Sequence, residues 1–234
     1  MIRVFLGYSR SAPVASSVAA HSIASRASQP VSFSYLVLSQ LQGIYTRPWH
    51  ELQSTDFSFS RFLVPYLCDF QGWALFTDDD MLFRDDIAKL WALRDPAYAV
   101  QVVKHDHVPE ADVKFLDKVQ TKYAKKNWSS VMLFNCAACT ALTPDYVNSA
   151  TGLELHQFKW LGDDNRIGEI PHRWNHLVDY DAPDPDAGNL HYTSGGPFYD
   201  DFKDCGYSAE WFAERQAMLH CDQAKAKKPS KTGG

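Results

Sequence analysis

Within its first 38 residues the chain reads as strand, helix and strand, and this alternation restricts the fold more than any other feature. Ile2–Tyr8 (IRVFLGY) is β-branched and aromatic, and Ser9-Arg10-Ser11 and Pro13 end the run. Ser11 as N-cap, with Pro13 in the first turn, predicts a helix through about Ala27. Val31–Leu38 (VSFSYLVL) then alternates, with Val31, Phe33, Tyr35 and Val37 on one face, as a strand does. Two strands this close, joined by a helix, make a parallel βαβ unit and therefore an α/β domain.

The later segments continue the theme. Behind Ser54 or Thr55 as cap, Phe59, Phe62, Leu63, Tyr66 and Leu67 recur at helical spacing, and Pro65 kinks or ends that helix. GWALFTD is a buried strand, and DDIAKLWAL a short helix capped by Asp85 or Asp86. Ala97–Val103 and Ser130–Cys136 read as further strands, and Thr143-Pro144 opens another helix. Beyond Thr151 the patterns shorten until SAEWFAERQAML, a C-terminal helix over Ser208–Leu219. No repeat or linker divides residues 1–221, which form one domain, and the basic tail at 222–234 reads as disordered.

Composition excludes several classes. Hydrophobic content of 45% and aromatic content of 14% are globular values, so gross disorder is excluded. A net charge of -5 offers no general attraction to nucleic acid or anionic membrane. The odd, irregularly spaced cysteines (68, 136, 139, 205 and 221) favour reduced thiols over a disulfide framework. The apolar stretch at the N-terminus is too short for a signal peptide and is interrupted by Arg10. No run reaches the roughly 18 apolar residues of a membrane span. The expectation is a cytoplasmic protein with no transmembrane segment and no nucleic-acid partner.

Against this background the segment WALFTDDDMLF (73–83) demands an explanation, because three adjacent carboxylates follow an apolar strand. Ligands of open parallel sheets bind beyond the carboxyl ends of the strands. If the chain stays extended there, Asp78 and Asp80 point to one side and Asp79 to the other. Two converging carboxylates make a hard oxygen site for Mg²⁺ or Mn²⁺, and the cation removes the repulsion. A solvated acidic turn, with Asp85 and Asp86 as more of the same surface, is the competing reading.

The stretch FSFSRFLVPYLCDFQGWALFTDDDMLF resembles the retaining nucleotide-sugar glycosyltransferases of the glycogenin and bacterial lipopolysaccharide galactosyltransferase family. The family pattern is a helix with a basic residue (Arg61), Leu-x-Pro-x-Leu, and a strand ending in Asp-x-Asp (Asp78-Asp79-Asp80). SSVMLFN resembles the family's apolar strand ending in Asn, here Asn135. DDNRIGEIPHRWN resembles its Asp-rich segment leading to Trp-Asn, with Asp163, Asp164, Trp174 and Asn175, and HYTSGGPF its late motif, with His191. The resemblance is collinear over roughly residues 2 to 200, and it implies a single glycosyltransferase A-type domain with a mostly parallel Rossmann-like sheet. One departure concerns the diphosphate: where the family carries Lys before Pro-Trp, this chain has Gly196-Pro197-Phe198.

The resemblance implies a metal-dependent transfer from a UDP-sugar to a glycan, lipid-linked or protein acceptor that the sequence leaves open. Asp78, Asp80 and His191 would bind the metal, and an imidazole among the ligands tilts the choice from Mg²⁺ toward Mn²⁺. Gly7 and Tyr8 would receive the nucleoside, and Arg61 the donor's phosphate or sugar. Asn135, Asp163 and Asp164 belong to the sugar and reacting side, with Asp164 the candidate nearest the anomeric carbon. Asp79 is the variable middle position of the motif, and Lys104, Gly195 and Gly196 complete the donor-binding candidates. Two other signals are set aside: Cys136-Ala-Ala-Cys139 lacks a second cysteine pair, and His105/His107 are not read as a separate metal site. The rival readings are a nucleotidyltransferase, for which GYSRSAP is a poor phosphate loop, and a sugar-nucleotide or glycan-binding module with a weakened site.

Overall fold

The computed structural model describes residues 1–49, 53–106 and 124–220, together with the backbone of 113–114 and 118–119. The basic tail, Cys221 and His107 lie outside the described residues.

The first strand, β1 (Ile2–Gly7), pairs in parallel with β2 (Val31–Leu36) and with β3 (Trp73–Thr77). Between β1 and β2 runs helix α1 (Pro13–Arg26), the crossover that the first 38 residues predict. Its N-cap is Ala12 rather than Ser11, and Pro13 still opens the first turn. The predicted helix at 54–67 is a 3₁₀ turn (Ser60–Leu63) running into one α turn, α2 (Val64–Leu67), whose start Pro65 occupies. Proline has no amide to donate and fits the first turn of a helix, so Pro65 begins the α turn instead of kinking a longer one.

After β3 the chain leaves the main sheet. Met81–Phe83 is β4, and α3 (Ile87–Trp91) follows, capped by the Asp86 side chain on the Ala88 amide. β5 (Val100–Val102), the two-residue strands β6 (Val113–Lys114) and β7 (Lys118–Val119), and β8 (Val131–Asn135) come next. Then come α4 (Pro144–Ser149), capped by Thr143, and α5 (Gly152–His156), which has a full capping box between Thr151 and Glu154. β9 (Ile167–Glu169), β10 (His176–Leu177), β11 (Asn189–His191) and α6 (Ser208–Leu219) complete the order.

The main sheet runs β2-β1-β3-β8-β5-β9 and is mostly parallel. Only β8 is reversed, antiparallel to both β3 and β5. Both faces are covered, as a largely parallel sheet requires. Phe5, Phe76, Met132 and Phe134 pack on one side with Phe57, Phe62 and Leu63. Ile2, Val4, Leu6, Leu75 and Leu133 pack on the other with Ala19 and Ile23 of α1. Neighbouring residues of β3 and β8 thus belong to opposite cores, the period of two expected of strands.

A second, three-stranded sheet, β10-β11-β4, sits beside the end of β3. In it β4 pairs antiparallel with β11, placing Met81 opposite His191, while His191 stands beside Leu177 of β10. Ser22 of α1 accepts the Phe83 amide at 3.0 Å, which ties this sheet to the first helix. A third cluster, centred on Trp211 of α6 with Val18, Leu82, Leu190 and Tyr192, closes its outer side.

Helices α1 and α6 also share a polar clamp. Glu214, only 7% exposed, bonds Arg26 Nη2 at 2.7 Å and His21 Nδ1 at 2.5 Å. Burial pushes its carboxyl up, but the bonds from Arg26 and His21 outweigh burial and hold it below the ordinary glutamate value of 4.5. A carboxylate with a lowered value stabilises the fold above its unfolded value and loses that contribution as pH falls through the lowered one. Glu214→Gln should therefore cost roughly 1–2 kcal/mol at neutral pH, allowing for the partly exposed partners. Urea unfolding followed by circular dichroism should show this difference shrinking steadily below about pH 4.5. A difference unchanged down to about pH 3 would assign the loss to packing.

Candidate functional site

The crossing from β3 to β4 builds the site. Asp78 continues β3, its amide bonded to the Ser130 carbonyl at 2.9 Å, and Asp80 directly precedes the residue that faces His191. The Tyr192 amide bonds the Asp80 carbonyl at 3.0 Å, closing the junction from the other strand. One ligand atom from each of Asp78, Asp80 and His191 therefore falls within 4.8 Å of the others, with His191 Nε2 3.5 Å from Asp80 Oδ1.

Asp79 turns the other way. It is 5% exposed and takes hydrogen bonds from the hydroxyl and amide of Ser9. Burial pushes its carboxyl well above the usual range, the neighbouring Asp80 charge adds to this, and the Ser9 bonds oppose it. The alternation expected of an extended strand end thus separates the middle aspartate from its neighbours.

Arg61 balances part of the charge. Its Nη1 pairs with Asp78 Oδ1 at 2.6 Å and donates to the Ser129 carbonyl at 2.9 Å, with only 6% of the side chain exposed. Its guanidinium lies about 5 Å from the Phe57 and Phe76 ring centres. A buried charge pair is costly unless its remaining groups are bonded, and here the carbonyl and the rings supply part of that, while Arg61 Nε has no hydrogen-bond partner among the described residues. Asp80 is compensated less fully, because its buried Oδ1 has no hydrogen-bond partner among the described residues. A divalent cation would remove that deficit, so the residues present fit a bound metal.

His191 is fixed from behind. Its Nδ1 lies 2.9 Å from Asn175 Oδ1, and Asn175 Nδ2 donates to Ser130 Oγ at 2.8 Å. An amide oxygen can only accept, so Nδ1 carries a proton, and in the neutral ring the lone pair lies on Nε2, facing Asp80. This is the tautomer a metal ligand needs.

The cluster opens into a cavity of about 460 Å³. Its wall carries three further basic groups, Arg47, Lys126 and His156, besides Arg61, and polar residues including Asn127, Ser129 and Thr193. Lys125 and Asn127 hold left-handed backbone, with φ of 63° and 64°, in the turn that aims this wall. His156 Nδ1 lies 2.7 Å from Ser129 Oγ, which anchors α5 to the same turn.

Other expected residues lie elsewhere. Asn135 pairs with Trp73 while Val131 pairs with Thr77, so Asn135 stands at the opposite end of the sheet from Asp78, bonded to the Tyr98 carbonyl. The reason is the reversed direction of β8. Asp163 caps the turn at Asp164–Arg166, and Asp164 forms an exposed pair with Lys125 at 2.6 Å, which holds its carboxyl below the ordinary range. Neither aspartate lines the cavity. Lys104 Nζ lies 5.9 Å from the Trp128 ring, also away from the lining.

Tyr8 borders a separate open groove of about 680 Å³ with Phe33 and Tyr35, its ring edge-on to Tyr35. Gly7 gives room to Phe57, since a Cβ there would lie 2.6 Å from that ring. Gly195, at φ 138°, and Gly196 pack under Phe202 and Phe198 respectively. Of the cysteine pair, Cys139 bonds the Ala99 carbonyl, and burial pushes its thiol up to about 12. Arg47, Lys126 and His156 gave no chemical signal in the sequence, although Thr151-x-x-Glu154 is a legible helix start for the segment bearing His156.

No family model matches the chain. Protein CDI of Arabidopsis thaliana is 43% identical over 223 residues, covering 92% of this chain and 86% of that protein. This chain belongs to the family of Protein CDI. Its fold is shared with solved glycosyltransferases. The galactosyltransferase LgtC, solved with donor and acceptor sugar analogs, has a TM-score of 0.60 at 12% identity over 95% of this chain and 98% of that one. The glycosyltransferase GlyE of Streptococcus pneumoniae gives 0.61 at 13% identity, covering 94% and 63%. The bifunctional WbbM gives 0.59 at 14%, with 92% of this chain matching about half (52%) of that one. The family member therefore has the glycosyltransferase A-type fold that its motifs implied. Among the described residues no helix is long and apolar enough to cross a membrane.

The Asn175 contact yields a test that is independent of turnover. Asn175→Ala should free the His191 ring and weaken Mn²⁺ binding about 10- to 100-fold. Calorimetric titration of the folded variant with Mn²⁺ measures this. Unchanged affinity would remove Asn175 as the residue that orients His191.

Proposed function

We propose that this chain is a metal-dependent retaining glycosyltransferase that moves a sugar from a UDP-sugar to an acceptor. The observation that carries the reading is the meeting of Asp78, Asp80 and His191, from distant parts of the chain, beside a cavity walled by basic side chains. The fold shared with LgtC and GlyE supports it.

In this reading Asp78, Asp80 and His191 hold Mn²⁺, or Mg²⁺ in its place. When bound, the ion is a Lewis acid that offsets charge gathering on the leaving diphosphate. The chain's own residues do the rest. Arg61 pairs with Asp78 at 2.6 Å and holds it toward the cavity. Lys126 and Arg47 add positive charge in the wall, in place of the lysine that the family carries at the position of Gly196-Pro197-Phe198. Such preorganised charge acts most strongly where water is excluded. Asn175 holds the proton on His191 Nδ1 and keeps Nε2 available.

A retaining outcome needs either a carboxylate nucleophile or attack on the face from which the diphosphate leaves. Among the described residues, the carboxylates lining the cavity are Asp78 and Asp80, already assigned to the metal. This favours same-face attack, with the leaving phosphate taking the acceptor's proton, over a covalent intermediate on Asp163 or Asp164.

The test combines binding with stereochemistry. Calorimetry should show UDP binding at least tenfold more tightly in Mn²⁺ than in EDTA, a difference of about 1.4 kcal/mol or more. Incubation with an α-linked UDP-sugar should release or transfer a sugar whose first anomeric proton signal is α. Equal UDP affinity in both buffers would remove the metal from the reading, and a β first product would remove retention.

A further inference from the structure

A second group of metal-ligating side chains lies on the other side of β10. His172 and His176 are four residues apart, and Asp181 returns beside them because the chain turns back after Leu177. The amides of Tyr180 and Asp181 both donate to the Leu177 carbonyl, at 3.2 and 2.9 Å, and Asp179 takes left-handed backbone at φ 65°. The Leu177 amide in turn donates to Asp181 Oδ2 at 2.6 Å, fixing the carboxylate.

The spacing of the three groups suits a small cation. Asp181 Oδ2 lies 3.3 Å from His172 Nε2 and 3.8 Å from His176 Nδ1, and all three ligand atoms fall within 4.8 Å of one another. A tetrahedral zinc ion with ligands near 2.1 Å separates them by about 3.4 Å, so two edges are close to that value already. The second observation concerns His176. It is only 1% exposed, its Nδ1 faces Asp181 from beyond hydrogen-bond distance, and its Nε2 has no hydrogen-bond partner among the described residues. A cation at Nδ1 would give this buried ring the polar partner that Asp181, at 3.8 Å, does not supply. The donor set differs from that of the first cluster, with two imidazoles and one carboxylate in place of two carboxylates and one imidazole. Imidazole-rich sites select zinc over magnesium or manganese.

We infer that His172, His176 and Asp181 form a zinc site with three protein ligands, separate from the Asp78–Asp80–His191 cluster. His172, with half its side chain exposed, leaves the fourth position open to water. The ring of His105, 5.1 Å from that of His172, flanks the site.

Histidine-labelled NMR of the full chain, titrated with Zn²⁺ alone, tests the inference without reference to turnover. The His172 and His176 imidazole signals should shift together and saturate near one equivalent. His172→Ala, at a half-exposed position, should weaken the response of His176 about tenfold or more and leave that of His191 unchanged. Asp181→Asn should act in the same direction. Asp80→Asn should instead alter only the His191 response. A Zn²⁺ response confined to His191, or a His176 response that survives His172→Ala at full affinity in a folded chain, overturns the site.

Discussion

Three consecutive carboxylates at the crossing from one sheet to another make the demand to which the surrounding structure answers. Left alone, Asp78, Asp79 and Asp80 would repel one another in a place from which water is largely excluded. The chain answers each one differently. Arg61 pairs with Asp78, Ser9 takes Asp79, and His191 faces Asp80. Each answer draws a distant element to the same spot: the 3₁₀ turn before α2, the loop after β1, and β11. The second sheet has β4 and β11 as its means of bringing the last of these into register.

That arrangement also explains why the wall of the cavity is basic. Two of the three aspartates project toward the opening, and Arg61, Lys126, Arg47 and His156 surround it. A site with both signs of charge in a partly dry cleft attracts a cation and a polyanion together, as a nucleoside diphosphate with its metal would require. The Asn175 bond to His191 adds direction, because it leaves the imidazole lone pair toward Asp80.

The legible parts of this structure were those written in local periodicity. Strands β1, β2 and β3, helix α1, the caps at Asp86 and Thr143 and the limits of α6 follow from alternation, proline placement and capping chemistry. Strand direction is not written that way. VMLF is apolar throughout, and nothing in it states that β8 runs against β3, so the pattern does not show that Asn135, a candidate for the sugar side, stands at the opposite end of the sheet from Asp78. Strands of two or three residues, such as β10 and β11, are too short for a period to show. Within the site, the aspartate triplet was legible because clustered charge beside an apolar strand is unusual. Lys126 and Arg47 were not, since a basic residue in a polar stretch carries no mark of burial. Asp163 and Asp164 matched by order along the chain, but the turn they occupy faces Lys125 and not the cavity.

The central claim is that one ion is shared by Asp78, Asp80, His191 and the donor's diphosphate. Electron–nuclear double resonance of Mn²⁺ bound to the full chain reads each part of it separately. A ¹⁴N coupling from a single imidazole should be present and disappear in His191→Gln, and a ³¹P coupling should appear only when UDP is added. Manganese bound without a nitrogen coupling, or with no phosphorus coupling at saturating UDP, would contradict it.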